Sequence, residues 1–113
     1  MTKDEFIKHL KEINPPDMYI KEDKRYDYYF VTNDNWSMAN FNDKTFCFFR
    51  FYFANEIGPQ LTTCFIGEYE DWDFETIEKL SNDFWESRKQ AELDFKKYKM
   101  KKELNEIKGD FND

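Results

Sequence analysis

Two thiols and one imidazole are the residues from which a thiol nucleophile and its base would have to be drawn in this chain. Cys47 lies in Thr45–Ala54 and Cys64 in Gln60–Tyr69, both among aromatic and β-branched residues. His9 stands between Lys8 and Leu10, with no second His or Cys nearby in sequence. A catalytic thiol needs a lowered pKa and an adjacent base, whereas a thiol buried in mid-strand is inert. A structural zinc ion needs four ligands and a catalytic one three. His9 is therefore expected on the surface, and both thiols are expected to be inert. The three glycines are scattered singly and cannot build a phosphate-cradling loop.

Carboxylates are the other chemistry on offer. Glu68, Glu70, Asp71, Asp73, Glu75 and Glu78 crowd one stretch. Acid–base catalysis needs two positioned groups with separated pKa values. With 24 Asp and Glu in the chain, pairs can be drawn freely and none stands out. The run also lacks the spacing and central glycine of a calcium-binding loop. The expectation is a non-enzyme with no metal and no cofactor.

Totals narrow the partners. The chain has 113 residues, a formal net charge of −7 and 20% aromatic residues. That length suits a single domain, residues 1–113. Acidity argues against direct binding of nucleic acid, which needs cations to displace counterions. It argues equally against docking on anionic lipid. It favours a basic partner, including proteins that themselves handle nucleic acid. No window approaches the run of about 18 apolar residues that a membrane-spanning helix needs. With two cysteines, no disulfide framework and no hydrophobic leader in Met1–Glu5, a reduced, cytoplasmic setting is expected.

The elements that must position these residues follow from patterning. Thr2-Lys3-Asp4-Glu5 has capping-box spacing, and Phe6, Leu10 and Ile13 recur at helical intervals, giving a helix over 3–13. Asn14-Pro15-Pro16 ends it. Asp17–Lys24 reads as a polar connection with room for a short edge strand at Met18–Ile20. Residues 25–69 read as a four-stranded antiparallel meander, with strands at Arg25–Thr32, Trp36–Phe41, Thr45–Ala54 and Gln60–Tyr69. Its central strand, Thr45–Ala54, is apolar on both faces, so cover on both sides is expected, from the chain itself or from a partner.

Loop lengths set the expected registers. A five-residue loop at Asn55–Pro59 pairs Ala54 with Gln60. Leu61, Thr63, Phe65 and Tyr69 then share a face with Phe53, Phe51, Phe49 and Thr45. Cys64 falls opposite Arg50 and Cys47 opposite Gly67, so the thiols lie on different faces and cannot bridge. Three-residue loops at Asn33–Asn35 and Asn42–Lys44 put Tyr28, Phe30, Trp36 and Met38 beside Phe46, Phe48, Arg50 and Tyr52. A long helix over 73–108 follows, with Asp73 as N-cap, a Trp72–Ile77 staple and Gly109 as its stop. At about 1.5 Å per residue such a helix outruns its sheet, unless it breaks near Asn105. The fold class is α+β, in the order α-β-β-β-β-α.

Excess acid together with excess aromatic material suits a protein-binding module. The expected contacts are the six carboxylates above, as phosphate mimics, with Tyr28, Trp36, Phe46, Phe48, Arg50 and Tyr52 as anchors. A small inhibitor fits this composition: a phage-type anti-defence or anti-CRISPR protein, or a toxin immunity protein. The alternative is an assembly protein that forms a homodimer through the long helix or the aromatic sheet face. A third reading stacks single-stranded nucleic acid on the sheet, but lacks the cations for it.

Overall fold

The computed structural model describes residues 1–24 and 27–111, in the order α1 (Lys3–Ile13), β1 (Tyr19–Glu22), β2 (Tyr28–Val31), β3 (Ser37–Phe41), β4 (Thr45–Ala54), β5 (Gly58–Glu68), a single 3-10 turn (Tyr69–Asp71) and α2 (Phe74–Phe111). The fold is α+β, and its antiparallel sheet has five strands in chain order rather than four. The added strand is β1, which pairs Ile20 with Phe30 and Glu22 with Tyr28. It overlaps the short edge strand for which the sequence left room at Met18–Ile20; among Tyr19-Ile20-Lys21-Glu22 only Ile20 is an apolar residue turned to the core, and charge is what an edge strand carries. The expected strand start at Arg25 lies outside the described residues.

The α1 capping box forms as its sequence implies. Glu5 N–H donates to Thr2 Oγ1 and Thr2 N–H to Glu5 Oε1, both at 3.2 Å. Phe6 and Leu10 then point inward at 0% and 1% exposure. The Phe6 ring lies 4.8 Å from Phe46 and meets Phe48, Phe41 and Tyr69 edge-on. Each such buried ring contributes about 1.5–3 kcal/mol of transfer free energy. Past Ile13 the chain turns extended at Asn14, whose buried amide donates to Leu10 O and accepts from Trp85 Nε1 of α2 at 3.0 Å. One side chain thus ends α1 and ties it to α2.

Both helices lie on one face of the sheet. The row Ile20, Phe30, Ala39, Phe48 and Phe65 faces them. The opposite row is Lys21, Tyr29, Asn40, Cys47 and Ile66, with Ile66 72% exposed. The chain's own helices therefore cover only one face of the sheet, and on the second face of β4 Arg50 and Tyr52 are exposed.

Register differs from expectation for a physical reason. The β4–β5 loop has three residues, Asn55–Ile57, and pairs Ala54 with Gly58 rather than Gln60. Gly58 makes this tip possible: its φ is +98°, and a Cβ there would sit 3.0 Å from the Phe95 ring. Between Phe48 and Phe49 the pairing slips, leaving Cys64 out of the ladder register, its thiol donating to Phe48 O at 3.5 Å. Below the slip Phe46 and Phe48 are buried; above it the buried residue is Phe51. Arg50 and Tyr52, expected beside Phe46 and Phe48, are exposed instead. In the second hairpin Phe41 pairs with Phe46, so Tyr28 and Phe30 do join Phe46 and Phe48 on the core face. Cys47 lies opposite Ile66 and both thiols are free.

α2 is unbroken over 38 residues, passing Asn105 and also Gly109, where a stop was expected. Asp73 caps it, accepting from Thr76 N–H at 3.0 Å. At about 1.5 Å per residue it spans roughly 57 Å, nearly the whole 65 Å length of a molecule only 30 × 24 Å across.

Candidate functional site

The carboxylate stretch folds into one corner where β5 ends and α2 begins. Glu68 closes β5, Glu70 and Asp71 sit in the 3-10 turn, and all three are exposed. Tyr69 anchors the turn. Its ring is buried against Phe6 and Phe46, and its hydroxyl donates to Asn42 O at 2.5 Å. Burial, with Asp43 nearby, pushes this phenol far above its ordinary range, so it stays neutral and holds the turn at any ordinary pH. The acids beside it are thereby presented by a fixed backbone.

The acids divide by what they do. Asp73 is held by Thr76, whose backbone N–H and hydroxyl both donate to it; these bonds lower its pKa. Glu75 pairs with Lys79 at 3.3 Å. Glu78 faces His9 Nε2 at 3.5 Å. Among the described residues, Glu68, Glu70 and Asp71 form no ion pair. Near them, Lys3 is engaged by Asp43 at 2.7 Å.

An aromatic residue that sequence reasoning placed elsewhere completes the corner. Trp72, expected as a helix staple on Ile77, packs edge-on with Phe65 at 4.8 Å. It remains 39% exposed, in a shallow cleft with Glu70, Asp71, Asp73 and Thr76. Gly67 lets it lie there, because a Cβ on Gly67 would stand 2.6 Å from Trp72 Nε1. Phe74, 40% exposed, stacks on His9 at 4.3 Å. His9 is therefore half-buried between the helices, not on the surface as its neighbours suggested. The signal that could have found Trp72 was its place inside the acidic run.

The other expected anchors do not gather. Phe46 and Phe48, at 1% and 0% exposure, are core residues and offer a partner no contact area. Tyr28 is half-buried, stacked on Phe41 at 5.4 Å with the Lys3 ammonium over its ring. Trp36 is half-buried against Phe51 at 5.0 Å. Arg50 pairs with Asp83 of α2 at 3.2 Å. Tyr52, 48% exposed, is on the surface as expected.

Burial raises the pKa of Cys47 and of Cys64, which suppresses the thiolate. Among the described residues, no cluster of three His, Cys, Asp or Glu could hold a metal, and no helix is long and apolar enough to cross a membrane. The open sheet face carries a depression of about 490 Å³ lined by Lys21, Glu22, Asp23, Lys24, Tyr29, Val31, Asn35 and Ser37, a mixture of signs with no convergent charge. No family model, curated protein or solved structure matches the chain.

Proposed function

We propose that this chain is a non-catalytic acidic binding module that blocks a basic, nucleic-acid-handling protein through the corner at Glu68–Asp73. The observation that carries this reading is the half-exposed Trp72 beside Glu68, Glu70 and Asp71, which form no ion pair among the described residues. Partly exposed tryptophan is the residue type most often found at the energetic centre of an interface. Unpaired acid around it attracts a cationic cleft and falls silent in high salt. Carboxylates on a fixed turn can stand where phosphates would. An inhibitory role of the phage anti-defence, anti-CRISPR or immunity type suits such a surface, and a cytoplasmic setting goes with it. The contact set is Glu68, Glu70, Asp71 and Trp72, with Glu75, Glu78 and Asp73 at the rim.

The test is capture of purified nucleases and other basic DNA- or RNA-binding proteins on the immobilised chain. A true partner is released by competing duplex DNA. Reversal of Glu68, Glu70 and Asp71 to Lys, and separately Trp72→Ala, is expected to weaken capture by about tenfold or more each. Asp73 is spared because its loss would uncap α2. Capture that survives both changes, with the circular dichroism spectrum intact, would exclude this corner as the contact.

A further inference from the structure

The outer face of α2 changes character along its length. At about 100° per residue, Ile77, Phe84, Ala91, Phe95 and Tyr98 fall within one arc of about 60°, and this arc packs on β4. The opposite side begins charged. Glu75 pairs with Lys79 and Glu86 with Lys89, all 73% or more exposed. From Leu93 onward that same side becomes apolar, with Leu93, Met100, Leu104 and Ile107 between 45% and 56% exposed. The solvated face is therefore ion-paired over the first part of the helix and apolar from Leu93 to Ile107. A stray leucine on a surface means little, but four at spacings of seven, four and three are the d and a positions of a coiled-coil seam.

We infer that this seam pairs with a second copy of the chain, antiparallel, about a two-fold axis between Tyr98 and Lys99. Charge selects both the occupant and the orientation. The positions flanking the seam are Asp94, Lys96, Lys101 and Glu103. In the antiparallel register Leu93 meets Leu104 of the second copy, and Met100 meets the alkyl stem of Lys97. Asp94 then faces Lys101 and Lys96 faces Glu103, each twice by symmetry. All four contacts are attractive. In a parallel pair Lys97 would face its own copy inside the seam and Lys96 would face Lys101, both repulsive. A lone cationic residue at a core position is how coiled coils fix register, and its ammonium reaches the edge while its stem stays in contact. The two heads then sit at opposite ends with both acidic corners outward, so this inference stands apart from the partner proposed above.

Sedimentation equilibrium of the full chain over a concentration series decides it. The expected result is a reversible monomer–dimer equilibrium. Leu104→Glu raises the dissociation constant by roughly a hundredfold, since each dimer carries the change twice. Asp94→Lys weakens the dimer by about tenfold, and adding Lys101→Asp restores it. These positions lie outside the core of the fold, and unchanged circular dichroism confirms each variant is folded. A monomer at every concentration overturns the proposal and leaves the seam to a helix of another protein. A dimer in which Asp94→Lys/Lys101→Asp is no tighter than Asp94→Lys alone overturns the antiparallel pairing.

Discussion

Gly67 governs the one exposed tryptophan of the acidic corner. The Nε1 edge of Trp72 rests against it because no Cβ stands in the way. Gly67→Ala is expected to lift the indole off Phe65, lowering stability by about 1–3 kcal/mol. The indole N–H resonance of Trp72 should move and its fluorescence should become easier to quench. An unchanged resonance would mean that the ring does not rest on Gly67. At this scale the sequence was legible where chemistry is local. Thr2 and Glu5 name their own hydrogen bonds, and Asp73 announces an N-cap. It was illegible where burial decides the role. Phe46 and Phe48 are the same residue type as any interface anchor, and only the arrival of Phe6 from α1 turns them into core.

The elements are held by a device that no periodicity reveals. β3 pairs with β4 only as far as Phe48, so beyond it one edge of β4 lacks a strand. Ser87 of α2 fills the gap. Its hydroxyl accepts from Phe51 N–H at 2.9 Å and donates to Phe84 O at 3.0 Å. Ser87→Ala leaves a buried backbone donor without a partner, a loss of about 1–3 kcal/mol. Chemical denaturation gives that figure, and the Phe51 amide should exchange with solvent markedly faster. Unaltered exchange would show that this bond does not dock the helix. The helices and the meander order were readable from spacing, caps and turn residues. The slip at Phe48 was not, because a two-faced aromatic strand fits either register and only contact with α1 below and α2 above selects a different side for each half.

At the scale of the molecule, shape is set by the unpacked end of α2. The radius of gyration is 18.1 Å, whereas a compact domain of this length would have about 13 Å. Small-angle scattering at high dilution should report the larger value. Removing residues 99–113 should bring it close to the compact one while leaving the melting temperature within a few degrees, since among the described residues the last ring of α2 that packs on the sheet is Tyr98. A large fall in melting temperature would mean that the free end helps to hold the body together. The bulge at Cys64 also bears on aggregation. β5 is an outer strand of eleven residues, long enough to recruit strands from other chains into fibrils. It begins Gly58-Pro59, whose proline has no N–H to lend, and it loses step at Cys64. An edge interrupted by a proline and a bulge is a poor template for a stranger's strand, so concentrated solutions of this aromatic-rich chain should stay free of amyloid.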